Sequence, residues 1–232
     1  MCICIYFYSQ LFDVRHFGVR NWKVGCGVID SYQRVCLITF LIAFDNFTAI
    51  SFLKMLRNVE IKAKVRDLSD IISKAKSLSG NDGELIPQHD IFYNATNGRL
   101  KLRKFSDGSS CLLFYSRPDT EGPKLSEYEK CELKADEQGI ATGKQIDSIL
   151  TRSLGIKGEL KKVRHLFLVG QTRVHIDKVE GLGDFMELEV VLTPQQTLEE
   201  GQVIAEDLMK ELGVVPEDLL SGAYMDIVLN KK

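Results

Sequence analysis

From Leu56 onward apolar and polar positions alternate with period two in stretch after stretch. The pattern predicts eight β-strands, at roughly 57–66, 84–94, 99–105, 110–117, 124–133, 159–168, 171–179 and 184–192. The clearest is Asn58-Val59-Glu60-Ile61-Lys62-Ala63-Lys64-Val65-Arg66. Val59, Ile61, Ala63 and Val65 share one face, and Glu60, Lys62, Lys64 and Arg66 share the other. Asn97-Gly98 and Asp107-Gly108 are hairpin signals, and Gly170 and Gly181-Leu182-Gly183 punctuate the last three strands. Links this short require antiparallel neighbours. Three segments switch to helical spacing: 68–79, closed by Gly80; 143–154, with Thr142 as N-cap and Gly155 as stop; and 198–212, ending at Gly213. Glu199-Glu200 marks the start of the third. Their apolar stripes need a surface to cover, so the expected fold is α+β, with helices packed outside an antiparallel sheet.

Residues 1–54 have a different texture. Val35 to Phe44 is free of charge, but a membrane helix needs about 20 apolar residues. The run through Leu56 reaches that length only by including Asp45, Asn46 and Lys54, so no membrane span is expected. The extension is expected to be unstructured, or a gene-model artefact with Met55 as the start of a domain over residues 55–232. Four of the six cysteines, Cys2, Cys4, Cys26 and Cys36, precede residue 40. No Cys-x-x-Cys pair and no secretory signal is present, which favours the cytosol and argues against zinc. A net charge of -2 gives no reason to expect nucleic acid as a partner. Nothing in the pattern fixes an oligomeric state.

Charge becomes informative when sorted by strand face. Glu60, Lys62 and Lys64 are followed by Arg99, Lys101 and Arg103 on the third strand, with Arg117 ending the fourth. Lys162 and Arg164 share a face on the sixth, Arg173, His175 and Asp177 on the seventh, and Glu187 and Glu189 on the eighth. The fifth strand is ambiguous: Lys124, Ser126, Tyr128 and Lys130 lie on one face, Glu127 and Glu129 on the other. One wet face of an ordinary antiparallel sheet shows the same alternation. What departs from that is segregation, with bases crowding the early strands and carboxylates the last two. His175 is readable as a proton carrier, a phosphate neighbour or a hydrogen-bonded structural histidine.

Several short motifs occur in order. They are Asn58-Val59-Glu60-Ile61-Lys62; Asp90-Ile91-Phe92-Tyr93-Asn94 before Gly98-Arg99-Leu100-Lys101-Leu102-Arg103; Val174-His175-Ile176-Asp177 before Leu182-Gly183-Asp184-Phe185-Met186-Glu187-Leu188-Glu189; and Tyr224-Met225-Asp226. Together they resemble the CYTH superfamily, the triphosphate tunnel metalloenzymes that include class IV adenylate cyclases and thiamine triphosphatases. The resemblance implies a closed eight-stranded antiparallel β-barrel, a tunnel with a charged lumen and helices outside. Lys62, Arg99, Lys101, Arg103, Arg164 and Arg173 would clamp phosphate oxygens, with Lys64, Arg117 and Lys162 as secondary candidates. Glu60, Asp177, Glu187 and Glu189 would hold Mg²⁺ or Mn²⁺. Glu60, Lys62, Asp177 and Glu189 would form the catalytic group.

The chain departs from the family's Glu-x-Glu-x-Lys signature at Asn58, which replaces the first Glu. An amide offers an oxygen but no charge and cannot act as a general base. The expected function is a metal-dependent phosphohydrolase, a triphosphatase acting on inorganic triphosphate, thiamine triphosphate or a nucleotide. The alternatives are a class IV-type adenylate cyclase making cyclic AMP from ATP, and a non-catalytic module that binds polyphosphate or a phosphorylated ligand.

Overall fold

The computed structural model describes residues 55–230. The expected extension over 1–54, with its four cysteines, lies outside the described residues. Strands β1 (Leu56–Lys64), β2 (Glu84–Tyr93), β3 (Arg99–Phe105), β4 (Ser110–Ser116), β5 (Lys124–Leu133), β6 (Ile156–Val169), β7 (Thr172–Val179) and β8 (Gly183–Val191) close into a barrel in the order β1-β5-β4-β3-β2-β6-β7-β8. Every pairing is antiparallel. Helices α1 (Leu68–Ser79), α2 (Glu137–Leu154), α3 (Leu198–Leu212) and α4 (Tyr224–Asn230) complete the fold. None of the described helices is long and apolar enough to cross a membrane.

The barrel is inverted relative to a common core, because its apolar faces point outward. Val59, Ile61 and Ala63 of β1 join Val174, Ile176, Met186, Leu188 and Val190 of β7 and β8 in one buried cluster. α1 covers it with Ile71 and Ala75, and α3 with Ala205, Leu208 and Leu212. Each buried aliphatic side chain contributes roughly 1.5–3 kcal/mol by leaving water, so the outer clusters supply the drive that fixes the period-two register. A one-residue slip would exchange this face with the charged one. Under α2, Ile91, Tyr93 and Leu102 form a second cluster with Leu150.

The helix ends follow local chemistry. Asp67 caps α1 by accepting from the amides of Ser69 and Asp70, and Gly80 closes it with φ 69°. Thr197 and Glu200 form a reciprocal capping box on α3. α2 differs from expectation: it begins at Glu137, not near Thr142, and its N-cap is Asp136, which accepts from the Gly139 amide at 2.7 Å. Thr142 instead lies inside the helix and donates its hydroxyl to the Gln138 carbonyl at 2.8 Å. The early turns were masked because they carry Gly139 and Gly143 where a helical stripe would be apolar. Gly143 is needed there, since a Cβ would come within 2.6 Å of Ser110 Oγ on β4.

α4 was not expected from the sequence. It stands at one end of the barrel, where Tyr224 and Met225 pack with Phe92, Leu160, Val179 and Phe185. These four strand residues face inward, so the cluster fills that end of the lumen. The opposite end, toward Ile86, Phe105 and Leu166, is open.

Candidate functional site

A cavity of about 460 Å³ runs along the lumen. Strand parity determines what lines it. Asn58, Glu60 and Lys62 of β1 point in, as do Lys101 and Arg103 of β3, Lys162 and Arg164 of β6, Arg173 and His175 of β7, and Glu187 and Glu189 of β8. The ambiguity of β5 is resolved: Ser126, Tyr128 and Lys130 line the cavity. Three residues of the sequence-derived set do not line it: Lys64, Arg99 and Asp177, the last fully buried against Lys162 and Arg164. Lys64 has lumenal parity but ends β1, exposed beside Phe185. Arg99 is drawn away by Asp119 at 2.8 Å and Asp226 at 2.9 Å, beside the α4 end.

One wall, built by β2, β3 and β6, is rich in bases. Asp90 is 1 % exposed and holds two of them: Lys101 Nζ donates at 2.9 Å, and Arg103 donates through Nε and Nη2 at 2.7 and 2.8 Å. Burial raises the Asp90 carboxyl, but Arg103 and Lys101 outweigh it and hold it well below the usual range. Asp90 and Gln88 lie outside the sequence-derived set. Their signal was the parity of β2, where Gln88, Asp90 and Phe92 share the lumenal face, masked by the apolar Ile91, Phe92 and Tyr93 around them.

The other wall, built by β1, β7 and β8, gathers carboxylates. Glu60 lies across the ladder from Glu189, and Lys62 from Glu187. His175 faces Glu187, and Arg173 faces Glu189. Each carboxylate has a different set of counter-charges. Asp177, fully buried, accepts from Lys162 Nζ at 2.5 Å, from Arg164 Nε and Nη2 at 2.7 Å each, and from the Tyr224 hydroxyl at 3.2 Å. Both of its oxygens are therefore occupied. Glu187 pairs with Lys62 and accepts from Arg164 Nη2 at 2.6 Å. Arg173 Nε donates to Glu189 Oε2 at 2.8 Å, and Arg117 Nη1 stands 2.8 Å from Glu60 Oε1.

The titration directions separate these groups. Burial pushes all four carboxyls up. For Asp177, Arg164 and Lys162 reverse it; for Glu187, Lys62, Lys162 and Arg164 do so, leaving both well below the usual range. For Glu189, His175, Arg173 and Arg164 bring the carboxyl down to about 2. Glu60 is the exception: burial, helped by Glu187 and Glu189, outweighs Arg117 and keeps its carboxyl raised. Lys162 is brought down to about 8 by burial and by Arg164 beside it.

Several lumenal polar atoms have no hydrogen-bond partner among the described residues, including Asn58 Oδ1, Gln88 Oε1 and His175 Nδ1. His175 Nδ1 lies 3.7 Å from Glu187 Oε2 and 3.8 Å from Glu189 Oε1. One ligand atom from each of His175, Glu187 and Glu189 falls within 4.8 Å of the others. Donors held about 2.0–2.2 Å from one ion are spaced closer than this, so the set has the donor types of a divalent-cation site at a wider spacing.

At the closed end, the Lys62 ammonium sits 3.6 Å from the centre of the Tyr224 ring. Lys124 Nζ donates to the carbonyls of Thr120, Leu220 and Ser221 at 2.6, 3.2 and 3.3 Å. The sequence presents Tyr224 only as part of a closing segment. Its contact with Asp177 was not legible, because it depends on where α4 docks.

Comparison with known proteins bears on this arrangement. The family model for the CYTH domain matches residues 56–224. A Methanocaldococcus jannaschii protein named "Putative adenylate cyclase MJ0240" is 25 % identical over 180 residues, covering 73 % of this chain and 97 % of its own. Among solved structures, the PH1012 protein of Pyrococcus horikoshii superposes with a TM-score of 0.58 at 23 % identity, covering 73 % of this chain and 98 % of its own. A Vibrio parahaemolyticus protein with the same cyclase description gives 0.57 at 16 % identity, covering 75 % and 98 %. At these identities the two structures establish likeness of fold.

Proposed function

The chain belongs to the CYTH domain family, and on that premise we propose that its tunnel is a metal-dependent phosphohydrolase that binds and hydrolyses a triphosphate-containing substrate. One observation carries the reading: oriented bases and a cluster of carboxylates face the same closed lumen. Lys101, Arg103, Lys162 and Arg164 from one side, with Lys62 and Arg173 from the other, hold phosphoryl oxygens by charge-assisted hydrogen bonds. Arg103 and Arg164 are already oriented by Asp90 and Asp177, so little ordering remains when a ligand arrives.

Glu189, whose Oε1 accepts no hydrogen bond, would be the first ligand of a divalent ion of the Mg²⁺ or Mn²⁺ class, joined by Glu60, His175 and, where it gives up Lys62 or Arg164, Glu187. Bound there, such an ion supplies positive charge to the phosphoryl oxygens. Asp177 is assigned differently from the sequence-based expectation. Its oxygens are occupied by Lys162, Arg164 and Tyr224, so it acts as a positioning residue for two bases. Glu60, with its raised carboxyl, is the group of this wall best able to take a proton from an attacking water. Asn58 presents an unpaired oxygen without charge, which favours one cation over two.

A second reading, cyclisation of ATP, is supported by the name borne by the relative at 25 % identity. Product analysis separates the two. Hydrolysis releases inorganic phosphate from a triphosphate panel with Mg²⁺ or Mn²⁺, whereas cyclisation yields cyclic AMP and pyrophosphate from ATP alone. If triphosphate raises the melting temperature and neither product forms, the non-catalytic alternative replaces both.

A further inference from the structure

Strand β4 carries a lumenal donor with no role in the clamp described above. Tyr115 lines the cavity half-buried, on the same strand face as Arg117. Its ladder neighbours are Arg99 on β3 and Tyr128 on β5. Arg99 is drawn away to Asp119 and Asp226, so at this level β3 and β4 offer the lumen Tyr115 in its place. Tyr128 and Tyr224, which line the same cavity, have their hydroxyls engaged by Arg173 and Asp177. The Tyr115 hydroxyl has no hydrogen-bond partner among the described residues. Polar groups away from bulk water are ordinarily paired, and an unpaired hydroxyl that a cavity reaches is poised for a ligand.

The surroundings of the ring fix where that hydroxyl can act. The ring centre lies 5.6 Å from Lys101 Nζ and 6.0 Å from the Arg99 guanidinium. Lys101 Nζ also stands 5.4 Å from the ring of Phe92, which belongs to the cluster at the α4 end. Tyr115 therefore sits in the deep half of the lumen, away from the mouth. Bases at that depth are already committed: Lys62 to Glu187, Lys124 to the carbonyls of Thr120, Leu220 and Ser221, and Arg117 beside Glu60. A terminal phosphoryl group presents more charged oxygens than an internal one and needs more donors. We propose that Tyr115 is a binding residue for the phosphoryl group lying deepest in the lumen, its hydroxyl donating to a non-bridging oxygen. Burial pushes the phenol up, with Glu60 and Asp90 adding to it against Arg117 and Arg99, so the hydroxyl keeps its proton and donates. The inference rests on the reading of the lumen as a triphosphate site, and it adds to the clamp a donor that carries no charge.

The test is calorimetric binding of inorganic triphosphate in EDTA to the full chain and to its Tyr115→Phe variant, in low and in raised salt. Phenylalanine keeps the ring beside Lys101 and removes only the hydroxyl. Without ligand the variant should melt with the unmodified protein, because no protein group loses a partner. It should bind triphosphate about tenfold more weakly, the loss expected for one hydrogen bond to a charged oxygen. That ratio should persist in raised salt, because the group removed is neutral and salt screens only charges. Equal affinities of the two proteins would overturn the assignment and leave the tunnel reading standing. A ratio that collapses in raised salt would also overturn it, tracing the loss to a displaced Lys101 charge. So would a variant that melts well below the unmodified protein, which would make the hydroxyl a support of the fold. Binding of triphosphate by neither protein would overturn the tunnel reading, and the assignment with it.

Discussion

The two walls of the lumen handle burial of charge in opposite ways. On the β2–β3–β6 wall, Asp90 spends both oxygens on Lys101 and Arg103 and fixes their direction. That leaves the bases ordered and in excess. On the β1–β7–β8 wall, Glu60, Glu187 and Glu189 crowd together, and cations drawn from several strands offset them. Isolated buried ions cost several kcal/mol each, so neither wall would persist as a bare array of one sign. On the proposed reading, the first wall is preorganised for an anion and the second is the side that would take a cation. Asp177 belongs chemically with Asp90, as a fixed counter-charge, although it sits beside the acid wall.

Removing a group from each wall should give different failures. Glu189→Gln should lower phosphate release by at least about 10²-fold, measured in single turnover. It should leave triphosphate binding in place, because the bases opposite are untouched. Asp90→Asn should act on stability first: it strands Lys101 and Arg103 as uncompensated charges. A loss of about 3 kcal/mol is expected in urea unfolding. If Asp90→Asn instead left stability unchanged and only slowed turnover, Asp90 would belong with the acid wall.

A smaller effect sharpens the comparison through pH. The Lys162 ammonium, ordinarily deprotonated near 10.5, is brought down to about 8 in the folded protein by burial and Arg164. Between these values the unfolded chain binds more protons than the folded one, so on this group's account stability rises with pH across that window. On the proposed reading affinity moves the opposite way, because the Lys162 charge that would hold phosphate is lost as pH passes 8. The triphosphate dissociation constant should rise about tenfold from pH 7 to pH 9, and Lys162→Met should flatten that dependence. The smallest effect belongs to Lys64→Ala, which should change stability by less than about 0.5 kcal/mol and leave binding unaltered.

The faces of the strands were legible because alternation is a local property and the outer apolar clusters enforce it. Depth along the barrel axis was not. Lys64 has the same parity as Glu60 and Lys62, yet it falls past the end of the lumen, since parity assigns a face and says nothing of distance from the rim. Arg99 likewise keeps lumenal parity but is captured by Asp119 and Asp226, residues remote in sequence from its strand. Asp90 stands in a motif of the sequence and Gln88 two residues before it, but the apolar Ile91, Phe92 and Tyr93 that follow hide their place on the lumenal face. No sequence pattern could show that the oxygens of Asp177 are occupied while Glu189 keeps fewer partners. That distinction comes from the register of β6, β7 and β8 and from the docking of Tyr224.

The most direct test of a lumen that holds an anion on one wall and acts on it from the other is a melting measurement on the full chain. It is made in EDTA with and without saturating inorganic triphosphate, for the unmodified protein and for Glu189→Gln. Ligand at about 100 times its dissociation constant should stabilise both by about 2.7 kcal/mol, with the two shifts equal. No shift in either protein, or a shift abolished by Glu189→Gln, would contradict the division of labour between the walls.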